Sequence, residues 1–232
     1  MQTKLIQFYY FQKQDILSID EHKILVKKNW KFFHKKKFNY PKTIIDYVNN
    51  NKKITILSFS SIGRGRKYIQ KNEFSHLSNK FNVLFIKDIT RSWFNNIDVK
   101  YIKSFLKSNN YAIGFSMGAF NAIIFSSIFP IKKLIAFSPQ FSIHPEISKD
   151  ESFLNFAAQI NHWKYKKLKF SNKTKYLLIF GDTEKEKYHM SKMPKRKNIK
   201  IMVIKNCDHR TAIILKKRGK LKKIVNEFFS KN

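Results

Sequence analysis

The stretch YAIGFSMGAFNAIIF sets Ser116 between Gly114 and Gly118, in a chain that has only six glycines among 232 residues. A strand that turns sharply into a helix crowds its own backbone. Small residues two places before and two after the turn let strand and helix approach, and the central side chain is thrust above the sheet with its hydroxyl exposed. Such a hydroxyl is too weakly acidic to attack an ester unaided, so an imidazole must take its proton and later return it to the leaving group. The expected base is His209, in IMVIKNCDHRTAIIL, between an apolar run and a helical segment. His22, His34, His76, His144, His162 and His189 have no comparable placement and read as surface or lid residues.

The imidazole in turn needs a buried carboxylate to hold its tautomer and stabilise its charged form. Three carboxylates follow the apolar run YLLIFG: Asp182, Glu184 and Glu186. Position at the strand end favours Asp182. Asp208, adjacent to His209, points elsewhere on the chain and is a poor candidate.

These groups need a scaffold, and the sequence alternates two classes of segment. Continuous apolar, β-branched or aromatic runs occur at Ile54 to Phe59, Asn82 to Ile86, Tyr111 to Phe115, Lys133 to Ser138, Tyr176 to Gly181 and Ile199 to Ile204, as expected of strands buried on both faces. Between them lie segments of helical length at Arg66 to Lys80, Asp98 to Ser108, Met117 to Phe129, Lys185 to Lys195 and Thr211 to Ser230. Alternation of this kind predicts an α/β fold with a mostly parallel, doubly wound sheet, whose chemistry gathers beyond the carboxyl ends of the strands. Nothing repeats at a fixed period and no linker divides the chain, so residues 1–232 read as a single domain.

Two regions break the rhythm. Residues 1–50 read as an N-terminal flank: a hairpin over DILSIDEHKILV, the basic WKFFHKKKF, and a short helix opening at Pro41 with KTIIDYV. Residues 140–174 are too long for an ordinary connection and predict a cap over the site, with FLNFAAQINHWKY as an amphipathic helix.

Composition bounds the partners. The formal charge is +32, which favours anionic partners, including acidic glycans and peripheral contact with an anionic membrane surface. The surplus is nearly all lysine, with only six arginines, and Asn, Ile and Phe are abundant, as an AT-rich coding sequence would yield whatever the function. Zinc-finger spacing, a basic region running into heptads and an aromatic RNA-binding consensus are all missing, which argues against nucleic acid as the main partner. No window supports a membrane span, the opening residues turn polar too early for a signal peptide, and a single cysteine suits a reducing compartment; a cytoplasmic protein is expected. No metal or cofactor signature is present, and the chemistry outlined needs none.

From Lys53 to Phe229 the sequence resembles the α/β-hydrolase superfamily, which carries nucleophile, acid and histidine in that order after successive strands. The resemblance implies a sheet of the α/β-hydrolase type, with the cap inserted before the acid-bearing strand. Many members place the acid three residues after the strand-end glycine, which falls on Glu184; the expected order is Asp182 first, Glu184 second and Glu186 third. It also implies an oxyanion hole from the amide of Met117 and a second amide in SFSSIGRGR, at Ser60 or Phe59, although the usual His-Gly pair is absent there. Gly63 and Gly65 make at most a weak anion nest.

The stretches LSFSSIGRG, LFIKDITRSWF, FSMGAFNA, AFSPQFSI and CDHRTAIILKKRGKL further resemble a group of α/β-hydrolase-like proteins associated with bacterial surface-polysaccharide gene clusters. That resemblance implies a pocket lined by Asp88, Arg91, Trp93 and Gln140, with the tryptophan against a sugar ring; the same residues also read as ties for the sheet's rim. The function expected is serine-dependent ester hydrolysis or acyl transfer on a small-molecule or glycan ester. A non-catalytic module of the same fold, binding an anionic glycan or a protein, is the alternative.

Overall fold

The computed structural model describes residues 4–10, 42–63 and 70–230, the first of these as backbone only. The expected hairpin over DILSIDEHKILV, the basic WKFFHKKKF, Gly65 and the start of the segment from Arg66 lie outside the described residues.

Among the described residues eight strands form one sheet: β1 (Lys4–Tyr10), β2 (Thr43–Asn49), β3 (Thr55–Phe59), β4 (Asn82–Asp88), β5 (Asn110–Phe115), β6 (Lys133–Phe137), β7 (Lys175–Phe180) and β8 (Ile199–Val203). Their order is β1-β2-β4-β3-β5-β6-β7-β8. β2 is antiparallel to both neighbours, and every pairing from β4 to β8 is parallel. Six helices accompany the sheet among the described residues: α1 (Val99–Lys103), α2 (Met117–Ser126), α3 (Leu154–Ala157), α4 (Glu184–Ser191), α5 (Thr211–Lys217) and α6 (Leu221–Ser230). None is long and apolar enough to cross a membrane.

The continuous apolar runs are explained by two cores, one on each face of the sheet. Leu57, Leu84, Ala112, Leu134 and Leu178 pack on one face, with α2. Their strand neighbours Ile56, Val83, Ile113, Ile135 and Leu177 pack on the other, with α5 and α6. Alternate side chains point to opposite faces, so a strand covered on both sides is apolar at every position. Helix α2 is buried at all ten of its residues, which is why MGAFNAIIFS lacks a polar face.

Several expected elements differ. KTIIDYV is strand β2, not a helix, with Thr43 through Val48 all buried. Its Thr, Ile and Val residues suit a covered pleat, and the buried Asp46 pairs with Lys87 of β4 at 2.6 Å. In the Arg66 to Lys80 segment the described part holds only a 3-10 turn, Ser75–Asn79, entered through Phe74 in the left-handed region at φ 57°. The Asp98 to Ser108 segment is helical only over α1, and FLNFAAQINHWKY only over α3. The long terminal helix breaks into α5 and α6 around Gly219, at φ 69°. β8 is an edge strand, with Ile201 and Val203 exposed rather than buried on both faces.

The sheet order reverses at β3: β4 lies on one side of it and β5 on the other. Loops from the carboxyl ends of β3 and β5 therefore diverge to opposite faces there, leaving the crevice in which open α/β sheets place their ligands. Ser116 follows β5 at that point.

Candidate active site

Ser116 sits at φ 56°, ψ −124°, between β5 and α2. For a residue with a Cβ this conformation is costly, and the surroundings enforce it. Its N–H donates to Phe137 O of β6 at 2.8 Å, while its carbonyl accepts from Ala119 N and Phe120 N to begin the helix. Both flanking glycines are required by close approach. A Cβ on Gly114 would lie 2.2 Å from Gly118 O, and one on Gly118 would lie 2.1 Å from Phe59 O. Gly118→Ala is accordingly expected to destabilise the protein by about 4 kcal/mol or more. Gly219→Ala meets open space and should cost only about 1 to 2 kcal/mol for its left-handed backbone. Denaturant unfolding of the two variants, side by side, measures the difference.

Three side chains line up behind this turn. Ser116 Oγ is 2.8 Å from His209 Nε2, and His209 Nδ1 is 2.8 Å from Glu186 Oε1. The carboxylate can only accept, so Nδ1 carries the ring proton and Nε2 presents a lone pair to the serine hydroxyl. Glu186 is buried, and its second oxygen accepts from Gly181 N at 3.0 Å. Burial pushes this carboxyl up, but hydrogen bonding and charge from His209, with further hydrogen bonds from Gly181 N and Ser138, outweigh it and hold the group below the usual glutamate range. Such a chain of groups can strip a proton from the hydroxyl as it attacks and return it afterwards.

Of the three carboxylates after β7, it is the third in the expected order that reaches the ring. Asp182 instead accepts from Asn206 N and Cys207 N, each at 2.9 Å, and its own N–H donates to Cys207 O. It braces the loop that carries His209. Glu184 is exposed and pairs with Lys187 at 2.7 Å. Asp208 turns away to Arg210. The sequence does hold a signal for Glu186. Stepping back by three or four from Met193 and Met190, along the inner face of α4 and its continuation, reaches His189 and Glu186, while Glu184, Lys185 and Lys187 face solvent.

His189 is likewise not a surface residue. It is buried, its Nε2 lies 3.1 Å from Asp150 Oδ2, and its Nδ1 accepts from Phe141 N at 3.2 Å. Helix α4 thus supplies Glu186 to the ring and, one turn on, ties down residues 141–150. That segment belongs to the expected cap. It also brings Phe153, whose ring lies 6.1 Å from His209 and 5.3 Å from Trp93. Phe115 packs on the imidazole at 5.4 Å.

The residues expected to line a pocket are mostly interior. Asp88, fully buried, accepts from Ser92 N at 3.0 Å, Ser92 Oγ at 3.0 Å and Thr90 Oγ1 at 2.9 Å, so it organises its own loop. Arg91 is also buried, with Nη1 donating to Ile89 O at 2.6 Å. Trp93 is 0% exposed, its ring packed by Phe153 and Phe156, which leaves no face for a sugar. Gln140 alone of the four reaches the reactive groups: its Nε2 is 2.9 Å from Ser116 Oγ and 3.2 Å from His209 Nε2.

The Met117 amide is the first in α2 and has no acceptor within the helix, as an oxyanion donor requires. Ser60 does not supply the second donor, because its N–H is committed to Ile86 O at 2.9 Å. The next amide, Ser61 N, donates to Glu73 Oε1 at 3.1 Å, and the Ser61 hydroxyl also bonds that oxygen. Burial raises the Glu73 carboxyl to about 7, against the opposing effect of both bonds from Ser61. A raised acid pKa stabilises the fold fully below its unfolded value near 4.5, and that contribution is lost as pH climbs to about 7. The unfolding free energy of the wild type should therefore fall by about 3 kcal/mol more than that of Glu73→Gln across this window. Parallel denaturation series of the two proteins at pH 4.5 and pH 7.5 check it.

No protein-family model and no curated protein sequence matches the chain. Solved structures do. The capsule O-acetyltransferase of Neisseria meningitidis serogroup A is 17% identical over 82% of this chain and 93% of its own, with a TM-score of 0.57. A serine hydrolase involved in carbazole degradation is 12% identical, covering 81% and 95%, with a TM-score of 0.52. An esterase of Pyrococcus furiosus is 16% identical, covering 81% and 85%, with a TM-score of 0.51. The fold shared with these enzymes is that of the α/β-hydrolases.

Proposed function

We propose that this chain is a serine-dependent acyl-transfer enzyme, an esterase or O-acyltransferase, with Ser116 as nucleophile, His209 as general base and Glu186 as the acid. The observation that carries the reading is the unbroken hydrogen-bond chain from Ser116 Oγ through His209 to Glu186 Oε1, at 2.8 Å in both steps, behind a strained strand-to-helix turn. In acylation, His209 takes the hydroxyl proton as Oγ bonds the acyl carbon, and the Met117 amide stabilises the oxyanion. Glu186 stays ionised and supports the imidazolium. His209 then protonates the leaving group as its bond to the acyl carbon breaks. An acceptor hydroxyl, from water or a sugar, reverses these events and frees the serine.

An acylated or acyl-accepting acidic glycan is the substrate class supported best. The net charge of +32 favours a polyanion, and one structure of similar fold is a capsule O-acetyltransferase. A mutant of that enzyme has been solved in complex with CoA, which supports a thioester as acyl donor for this chain too. The alternative of a non-catalytic binding module rests on an uncertain acid and an unusual oxyanion loop, and the carboxylate behind His209 weighs against the first of these. The test is turnover of p-nitrophenyl acetate with an acidic polysaccharide present. The reading predicts phenolate release, with acetyl recovered as acetate or on the polysaccharide. A folded protein that releases no phenolate above the buffer rate contradicts it.

A further inference from the structure

Gln140 follows β6, is 0% exposed, and touches both Ser116 and His209. Which end of its amide faces them is fixed by chemistry. Trp93 Nε1 lies 3.3 Å from the Gln140 oxygen, and an indole N–H can only donate, so Oε1 faces the indole and the NH2 group faces the serine. The indole itself is fully buried and packs against Phe153 and Phe156, which hold it in place.

One N–H of Gln140 therefore donates to Ser116 Oγ, whose own proton goes to His209 Nε2. With one lone pair engaged by the amide and the proton engaged by the ring, a single lone pair is left for the acyl carbon. The amide also lies 3.2 Å from His209 Nε2, on the imidazole side of the hydroxyl, where leaving and attacking groups exchange protons with the ring. In the acyl-enzyme Oγ is an ester oxygen, a weaker acceptor, so the Gln140 N–H is released toward the position that the acceptor hydroxyl must occupy. There an oxygen can accept from Gln140 while donating to His209.

Resting on the serine acyl-transfer reading, we propose that Gln140, its amide oriented by Trp93, is a catalytic residue that aligns Ser116 Oγ for acylation and then aligns the acceptor oxygen, water or a sugar hydroxyl, for deacylation. The bonds balance in both halves. The first forms Oγ–C, breaks the bond to the leaving group and passes the serine proton to that group through His209. The second forms the acceptor O–C bond, breaks Oγ–C and passes the acceptor proton back to Oγ.

The test is the pre-steady-state burst with p-nitrophenyl acetate, whose amplitude counts competent sites and whose phases give acylation and deacylation rates per site. Gln140→Met removes the donors at similar volume, and Gln140→Glu keeps shape and an acceptor for Trp93 while replacing the donor by a carboxylate oxygen. Both are expected to slow acylation about a hundredfold per titrated site, the usual cost of one preorganised donor, and deacylation by a similar factor. Trp93→Phe, which frees the amide to flip, should slow both phases about tenfold. Per-site rates within about threefold of wild type in Gln140→Met or Gln140→Glu overturn the proposal, and a fall confined to burst amplitude does so too, since it marks misfolding alone. Ser116→Ala separates the two claims: a burst it abolishes keeps the acyl-transfer reading even if Gln140 fails, whereas a burst it retains ends both.

Discussion

Ser116→Ala is expected to lower kcat for ester turnover about 10⁶-fold, and adding His209→Ala should cost little more. In the proposed mechanism the two side chains act as a unit. Without the hydroxyl the imidazole has no proton to take, and without the imidazole the hydroxyl stays protonated. What survives should be the modest acceleration from substrate binding and the Met117 amide. The alanine sits in the same strained turn, since the conformation is imposed by the bond from the residue 116 amide to Phe137 O and by the contact of Gly114 with Gly118. The loss should therefore appear in kcat and leave unfolding unchanged within about 1 kcal/mol. Equal activity of single and wild-type proteins would remove the serine from the chemistry.

The second large effect separates three neighbouring carboxylates. Glu186→Gln is expected to lower kcat about 10⁴-fold, because an amide can turn its NH2 toward Nδ1 and select the wrong ring tautomer. Glu184→Gln should leave kcat unchanged within about twofold, as its surface ion pair with Lys187 contributes little. Asp182→Asn should be intermediate. It keeps one acceptor for the Asn206 and Cys207 amides and loses the other, so the loop carrying His209 loosens. Steady-state kinetics and melting curves on the three variants give the ranking. If Asp182→Asn showed the 10⁴-fold loss and Glu186→Gln kept wild-type activity, the acid would be Asp182 after all.

How much of this was legible in the residues depends on what each signal measures. The central strands were readable because burial on both faces leaves an uninterrupted apolar run, and β4 to β7 stand within a residue or two of the expected bounds. The sharp turn at Ser116 was readable because steric crowding there demands glycine, and the placement of His209 because it falls between the last strand and the terminal helices. Helix extents were not readable, since segments such as Asp98 to Ser108 have helical composition while Ser104 onward is claimed by turns. The proline before KTIIDYV suits the start of a helix, but its β-branched residues suit a strand, and burial at six consecutive positions decides for the strand. Which carboxylate reaches the His209 ring was not legible, because adjacency to a strand end says nothing about which way a helix rotates its first turn. Rotation of α4 sends Glu186 inward and Glu184 out, and only the methionine face further along the chain records it. The resemblance to polysaccharide-associated proteins implies a pocket lined by Trp93 and Asp88, yet both are buried and hold other groups in place.

The most direct measurement is the site of covalent capture by a fluorophosphonate, located by peptide mass spectrometry on the folded protein. The account predicts a single adduct on the peptide carrying Ser116, absent in Ser116→Ala and formed far more slowly in His209→Ala. A folded wild-type protein that takes up no label, or one in which Ser116→Ala is labelled as fast, contradicts it.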